Sequence, residues 1–140
     1  MNQLNPYISF PGNCEEAINF YKDCLDGEIL SMNYFENSPE DSPIVVPADF
    51  KKKVMHVTMK FSGGTIMACD NPPQHNVIVG NNINLSIGLD DTAEADKYFN
   101  KLSEGGKVMM EMQDTFWGAR FGMFTDKYGI NWMINCELKK

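Results

Sequence analysis

Apolar residues recur at helical spacing in two stretches of the chain, and the second stretch repeats the first. Asn13 and Asp91 open the two stretches, 78 positions apart, and each is followed three places later by a Glu, which is the capping-box pattern of a helix N-terminus. We therefore predict helices over 14–25 and 91–103. Their apolar stripes are Ala17, Phe20, Tyr21 and Cys24 in the first helix and Ala95, Tyr98, Phe99 and Leu102 in the second.

Strand-like segments flank both helices, so the same unit of strand, helix and further strands is predicted twice. A Gly-Gly pair at 63–64, between two apolar segments, indicates a two-residue hairpin turn, and 126–129 marks the equivalent turn in the second half. Two long polar loops at 36–49 and 70–82 interrupt the pattern and are typical of lids, binding loops or partner contacts. The predicted strands are 4–10, 28–35, 54–61, 65–69, 82–89, 107–113, 121–125 and 131–136.

Composition and charge exclude several classes of function. The chain has 140 residues, 43% of them hydrophobic, which fits one domain with a first module at about 1–70 and a second at about 82–138. The net charge of −7 disfavours nucleic-acid and membrane-surface partners. The N-terminus lacks the features of a secretory signal, and the four cysteines lack metal-ligand spacing. We expect a cytoplasmic protein with reduced thiols.

A family resemblance follows from four segments of the sequence. They read PYISFPGNCEEA at 6–17, GTIMACD at 64–70, DTFWGARFG at 114–122 and TDKYGINWMIN at 125–135. Together they resemble the PhnB-like branch of the vicinal oxygen chelate superfamily, which includes glyoxalase I, bleomycin and fosfomycin resistance proteins and extradiol dioxygenases. The resemblance implies an α+β fold in which two pseudo-symmetric βαβββ modules form one curved eight-stranded mixed sheet around a cleft.

Metal-using members of the resembled superfamily place His or Glu ligands at four strand positions that face this cleft. We matched the fifth and last strands to the family pattern. The two repeat offsets, 65 between the hairpin turns and 78 between the helices, then place these positions at Pro6, Ala68, Asn84 and Met133. Only Asn84 offers an oxygen, whereas divalent metals of this class prefer imidazole and carboxylate. We therefore predict no metal ligands and no cofactor.

Strand alternation then predicts which side chains line the cleft. If Met133 faces it, Asn131 does too, while Trp132 and Ile134 face a helix. The resulting cleft has an apolar wall and a wall of amides and hydroxyls, which suits a small organic ligand held by a few hydrogen bonds. The predicted ligand-binding residues are Met59, Ala68, Asn84, Glu111, Trp117, Arg120, Asn131 and Met133.

Two residues are weak candidates for catalysis, and each has a simpler interpretation. His56 could act as a general base, but a hydrogen-bonded histidine within a sheet is the more common case. Glu111 could act as a base in the cleft or stand at its open rim without a chemical role. Similarly, Trp117 and Arg120 could clamp a ligand, or the aromatic pair at 116–117 could plug the open end of the sheet.

Two functions therefore remain open at the level of sequence. The first is a metal-independent protein that binds or sequesters a small molecule. The alternative is an enzyme of the same superfamily, either metal-dependent or acid–base, of the lyase, isomerase or dioxygenase type. We also expect a homodimer, because apolar residues in the two long loops would otherwise be exposed. Those residues are Ile44, Val45, Val46, Phe50, Val77, Ile78 and Val79.

Overall fold

The computed structural model describes residues 2–38 and 45–138, and the chain divides into two compact units, Met1–Ile78 and Val79–Lys140. Each unit has one α-helix and a four-stranded mixed sheet, so the predicted α+β class and the repeated βαβββ order are confirmed. In the described residues the eight strands form two separate hydrogen-bonded sheets of four, where the resemblance implied a single sheet of eight.

The first unit contains strands β1 to β4 and helix α1. In chain order these are β1 (Tyr7–Phe10), α1 (Cys14–Leu25), β2 (Glu28–Tyr34), β3 (Val54–Phe61) and β4 (Gly64–Asp70). The strand order is β1-β4-β3-β2, with β1 parallel to β4 and the other pairs antiparallel. Consequently β3 and β4 lie in the centre of this sheet.

The second unit repeats this layout with strands β5 to β8 and helix α2. They are β5 (Leu85–Leu89), α2 (Thr92–Leu102), β6 (Lys107–Asp114), β7 (Ala119–Thr125) and β8 (Asn131–Glu137). The strand order is β5-β8-β7-β6, again with one parallel pair, β5 with β8. In the described part of the chain, neither helix is long and apolar enough to cross a membrane.

The two helices begin in different ways, although the sequence pattern is the same. Asp91 caps α2 as predicted, since its side chain accepts a hydrogen bond from the Ala93 amide at 3.1 Å. The side chain of Asn13 makes no capping hydrogen bond among the described residues. Instead Asp70, at the end of β4, accepts the Cys14 amide hydrogen at 2.8 Å. The first helix is therefore capped by a residue distant in sequence.

The core of the first unit lies between α1 and one face of its sheet. Val57 pairs with Ala68 and Met59 with Ile66, so the two-residue turn is 62–63 and not the predicted Gly-Gly pair at 63–64, although the same side chains share a face. Phe10 continues this face on β1 and contacts Tyr21 of α1, with ring centroids 6.5 Å apart. The face that carries these residues therefore packs against the helix.

The core of the second unit is aromatic. Phe99 of α2 meets Phe124 of β7 edge to face at 5.1 Å, and Phe124 stacks on Trp132 of β8. A Cβ at Gly122 would come within 2.7 Å of the Phe99 ring, so a glycine lets the helix approach the sheet here. The prediction that Trp132 and Ile134 face the helix is confirmed, because Gly122 pairs directly with Ile134.

One residue of the predicted dimer contact is part of the first unit's core. Phe50 is only 8% exposed and packs on Phe35, with ring centroids 5.4 Å apart. Its assignment as an exposed anchor was therefore wrong. Val45, Ile78 and Val79 are exposed as expected, whereas Ile44 lies outside the described residues.

Candidate ligand-binding faces

Two of the predicted binding residues lie on the wrong side of the first sheet for that role. Met59 and Ala68 are both completely buried, on the face that packs against α1. The sulfur of Met59 lies close to Gly27, directly after the helix, since a Cβ at that glycine would come within 2.6 Å of it. Both residues belong to the core, and their predicted placement on the face that lines the cleft was wrong.

The error has a geometric origin in the two hairpin turns. Two residues, 62–63, separate β3 from β4, whereas five residues, 126–130, separate β7 from β8. Side chains alternate between the two faces along a strand. The second turn is three residues longer than the first, which is an odd number. A residue of β8 and its counterpart in β4, found by aligning the turns, therefore lie on opposite faces of their sheets. The longer turn is shaped by Asp126, whose carboxylate accepts the amide hydrogens of Tyr128 and Ile130.

The face of the first sheet opposite to α1, which we call the first open face, carries Met67 and several polar side chains. Ser9 and Cys69 are paired across β1 and β4, with Oγ and Sγ 3.8 Å apart. Tyr7 lies two residues before Ser9, and His56 and Thr58 follow the same alternation on β3. The sequence interpretation missed Tyr7, Ser9 and Cys69, although the alternation of polar residues along β1 and β4 marks this face.

A hydrogen-bonded series of side chains crosses this face. The Tyr7 hydroxyl lies 3.3 Å from Nδ1 of His56, and Nε2 of His56 lies 3.1 Å from Oγ1 of Thr58. Burial, followed by the charge of the Cys69 thiol, raises the pKa of Tyr7 to about 12. Tyr7 is therefore a protonated hydroxyl at neutral pH, and its hydroxyl lies beside the imidazole of His56.

The open face of the second sheet, opposite to α2, combines apolar and polar side chains. Met133 is paired with Ser86 on one side and Met123 on the other, and Asn135 is paired with Gly88 and Phe121. The predicted placement of Met133 on the face away from the helix is therefore confirmed. We call the residues Ser86, Phe121, Met123, Met133 and Asn135 the second open face.

Trp117 lies at one end of the second open face. It belongs to the turn between β6 and β7, is 55% exposed, and packs edge-on against Phe121 with ring centroids 6.0 Å apart. Its neighbour Phe116 is 98% exposed, and within the described part of the chain its ring contacts no aromatic ring other than that of Trp117. Phe116 therefore does not fill the end of the sheet, and Trp117 is the aromatic residue placed beside the face.

The Asn131 side chain forms structural hydrogen bonds within the second unit. Its amide nitrogen donates to the carbonyl oxygens of Gly80 and Ile83, and its Oδ1 lies 2.9 Å from the Thr125 hydroxyl. These contacts fix the segment that leads into β5, where half-buried Asn84 directly precedes the strand. Since both ends of its amide are already bonded, Asn131 is a positioning residue for this segment.

Arg120 is directed away from the second open face. It pairs with Cys136, on the helix side of the sheet, and its Nε donates to Asp96 of α2 at 2.7 Å. A second ion pair joins Nη1 to Asp114 at 3.0 Å. These two carboxylates raise the pKa of Arg120 and neutralise its charge. The predicted placement of Arg120 in the same site as Met133 was wrong, because the two side chains lie on opposite faces of the sheet.

Glu111 lies on β6, an edge strand with two irregularities in its pairing with β7. The residue is exposed, and its backbone carbonyl accepts a hydrogen bond from the Gln113 side chain at 3.3 Å. Extra residues on a bulged strand disrupt the alternation of faces. The alternation of residues in the sequence therefore did not determine on which face of the sheet Glu111 lies.

The donor set does not fit the divalent metal that members of the resembled superfamily use. On the open side, the first sheet offers Tyr7, Ser9, Met67, Cys69 and the single imidazole of His56, and the second open face offers a hydroxyl, an amide and thioethers. Such metals prefer imidazole and carboxylate ligands. Within residues 2–38 and 45–138, no group of three or more His, Cys, Asp or Glu is arranged to hold a metal ion.

Comparison with known proteins identifies relatives over nearly the whole chain. The family model described as the Glyoxalase/Bleomycin resistance protein/Dioxygenase superfamily matches residues 3–134. Protein YjdN from Escherichia coli strain K12 is 33% identical over 138 residues, covering 94% of this chain and 93% of that protein.

Solved structures give the same result. Protein PA1353 from Pseudomonas aeruginosa shares 42% identity at a TM-score of 0.87, covering 99% of this chain and 100% of that one. A PhnB protein from Bacillus cereus shares 27% identity at a TM-score of 0.76, covering 99% of this chain and 100% of that one. The predicted resemblance to the PhnB-like branch is confirmed.

Proposed function

This chain belongs to the glyoxalase/bleomycin resistance protein/dioxygenase superfamily, and we propose that it binds a small, partly apolar molecule without a metal ion or other cofactor. The proposed site is the second open face, bordered by Trp117. Asn84 and Asn131 support the site from the segment that enters β5, and Glu111 lies on the edge strand β6 of the same sheet.

The chemistry of this face supports the proposal. Phe121, Met123 and Met133 provide an apolar floor, and methionine side chains adapt their shape to different ligands. Ser86 and Asn135 add a hydroxyl and an amide within the same face. Small-molecule sites commonly combine an apolar lining with a few polar groups that orient the ligand.

The observation that carries the proposal is the position of Trp117. The two tryptophans of the chain lie on opposite sides of one sheet: Trp132 is 1% exposed in the core, and Trp117 is 55% exposed beside Phe121. A ligand on the second open face should therefore change the fluorescence of Trp117 and leave that of Trp132 unchanged.

Titration with the neutral fluorescent probe N-phenyl-1-naphthylamine tests this site. We expect saturable binding that quenches tryptophan emission, and we expect Trp117→Phe to remove the quenching. Met133→Arg should weaken probe binding at least about tenfold, because it places a charge on the apolar floor. Leu30→Arg, at an exposed position of β2, is the matched control and should bind as the wild type does. Equal binding by the wild type and Met133→Arg would show that the site lies elsewhere.

The natural ligand can be sought with the same variants. Native mass spectrometry of the protein, after incubation with an extract of its own cells, should show a co-purifying small molecule. The adduct should be absent from Met133→Arg and present with Leu30→Arg. An adduct of equal intensity in both variants would contradict the proposed location.

A second candidate function is acid–base catalysis, and the orientation of His56 favours it. The imidazole is held between the Tyr7 hydroxyl and the Thr58 hydroxyl, which is how a general base is positioned. Proton NMR in D2O, with a panel of simple ketones, would detect exchange of the hydrogen α to the carbonyl. Exchange that His56→Gln abolishes would support this enzyme, and exchange that only Glu111→Gln abolishes would assign the base to Glu111.

The proposal also includes a cytoplasmic homodimer. The support is three exposed apolar residues, Val45, Ile78 and Val79, at 76%, 92% and 66% exposure. Exposed apolar clusters mark association surfaces. Light scattering at micromolar concentration should give about twice the chain mass of 15.9 kDa. Ile78→Lys should shift the mass towards one chain, and a wild-type mass of one chain would refute the dimer.

A further inference from the structure

Three methionines lie side by side on the open side of the second sheet. Met110 of β6 is paired directly with Met123 of β7, and Met123 is paired directly with Met133 of β8. Directly paired residues share one face of a sheet, so Met110 continues the second open face onto the edge strand. We call Met110, Met123 and Met133 the methionine row.

Met112, two residues further along β6, lies on the other face of the sheet. A Cβ at Gly122 would come within 2.7 Å of the Met112 sulfur and within 2.7 Å of the Phe99 ring of α2. Met112 therefore belongs to the helix side, where it contributes to the core. Met110 faces away from that core, and its thioether is directed to the same side as those of Met123 and Met133.

The methionine row is accessible from solvent. All three of its side chains are partly exposed, whereas Met59 in the core of the first unit is completely buried. Ser86, a small residue, follows Met133 in the same row. A Cβ added at Gly88, the next open-side position of β5, would meet no atom of the described chain within 4 Å. A small ligand can therefore approach the three thioethers from the open side.

The spacing of the row allows its sulfur atoms to meet at one point. Neighbouring strands lie about 4.8 Å apart, so the backbones of Met110 and Met133 are about 10 Å apart, with Met123 midway between them. Methionine is unbranched and has three rotatable bonds, so the two outer side chains can lean towards the central one. Three sulfurs can then surround a single atom above β7.

We propose that the methionine row binds one Cu(I) ion through its three sulfur atoms. Thioethers are soft ligands that select Cu(I), whereas divalent metals such as zinc prefer imidazole, thiolate and carboxylate. The donor set that does not fit a divalent metal thus fits a soft monovalent one. The bound ion keeps its single positive charge, because thioethers are neutral, and the net charge of −7 favours its approach.

This inference goes beyond the proposed binding of a partly apolar molecule and does not rest on it. The Cu(I) ion is a second ligand of the same face and not a cofactor for the first. Binding involves no electron transfer and no bond cleavage, since three sulfur lone pairs are donated to the ion.

The test is a titration with Cu(I), supplied anaerobically as its acetonitrile complex, of the full-length chain labelled with 13C in its methionine methyl groups. The parent protein carries Cys69→Ser, because the partly exposed thiol of Cys69 would also bind Cu(I). We expect three methyl signals, assigned to the methionine row, to shift together and to saturate at one Cu(I) per chain. Zn²⁺ should leave these three signals unshifted.

Substitution by leucine removes a sulfur and conserves volume and apolar character. Met110→Leu, Met123→Leu and Met133→Leu should each weaken Cu(I) binding at least about tenfold, because loss of even an outer-shell partner costs that much in metal affinity. Met67→Leu is the matched control and should bind Cu(I) as the parent does. It removes a thioether from the first open face, where Thr58 and Tyr7 are the directly paired neighbours.

The outcomes separate this inference from the proposed function. Saturable quenching by N-phenyl-1-naphthylamine without a joint shift of the three methyl signals would overturn the Cu(I) site alone. The joint shift without quenching would support the Cu(I) site and refute the proposed function. The Cu(I) site is also overturned if the three leucine variants bind with the affinity of the parent, if Met67→Leu weakens binding to the same extent, or if Zn²⁺ produces the same shifts.

Discussion

The two units share a strand order and, among the described residues, each buries one aspartate, but the two aspartates bind different parts of their units. Asp70 accepts the amide hydrogens of Cys14 and Val54, so it joins the start of α1 to the start of β3. Asp126 acts locally, since its carboxylate binds two amides of its own turn and the indole nitrogen of Trp132. The two units therefore share their layout of strands and helix, but their buried aspartates form different hydrogen bonds.

The open faces differ in the same way. The first carries a thiol, an imidazole and hydroxyls that hydrogen-bond with one another, while the second carries methionines and phenylalanine with a hydroxyl and an amide. Equivalent positions in the two units therefore have different chemistry. A functional residue cannot be transferred from one unit to the other by its position in the repeat alone.

The largest expected effect tests the assignment of faces. Ala68→Trp should unfold the protein, at a cost of more than about 4 kcal/mol, because Ala68 is completely buried against α1. Met133→Trp, on the second open face, should change the free energy of unfolding by no more than about 1 kcal/mol. Urea denaturation measures both. A folded Ala68→Trp protein of normal stability would place Ala68 on an open face after all.

The aspartates provide the next comparison. Asp126→Ala leaves three donors without an acceptor, including the indole of a tryptophan that is 1% exposed, and should cost about 3–5 kcal/mol. Asp70→Ala leaves two amides without an acceptor and should cost about 2–4 kcal/mol. Urea denaturation gives both values. Hydrogen exchange should also show fraying at the first turn of α1 in Asp70→Ala only.

The fold could be predicted from sequence to a large extent, because periodicity determines it. Helix 14–25 and strand 54–61 have the predicted bounds, since their apolar spacing is clear and the turns after them are short. The predicted site was partly wrong because residues of β4 were located from residues of β8 by aligning two hairpin turns of unequal length. The difference in length reverses the face on which a side chain lies. The sequence pattern also could not predict long-range contacts. Examples are the cap that Asp70 provides to α1 and the ion pair between Arg120 and Asp96.

A substitution at Asn131 tests whether the segment before β5 contributes to the stability of the second unit. Asn131→Ala removes two hydrogen bonds to the carbonyl oxygens of Gly80 and Ile83 and should cost about 1–2 kcal/mol. The loss should be confined to the segment before β5, so hydrogen exchange should accelerate there more than in β7. Asn33→Ala, on the first sheet, is the matched control and should lack this effect. Uniform acceleration across the second sheet would show that Asn131 acts on the whole unit.

The smallest expected effect concerns the ion pairs of Arg120. Arg120→Gln removes the pairs with Asp96 and Asp114, but these groups are partly exposed, so water and salt screen the interaction. We expect a loss of no more than about 1 kcal/mol in the free energy of unfolding, decreasing further at high salt. The same variant should bind N-phenyl-1-naphthylamine as the wild type does, because the guanidinium lies on the helix side of the sheet. If Arg120→Gln instead abolished probe binding while the protein stayed folded, the ligand would have to contact the helix side. The second open face would then not be the ligand-binding site.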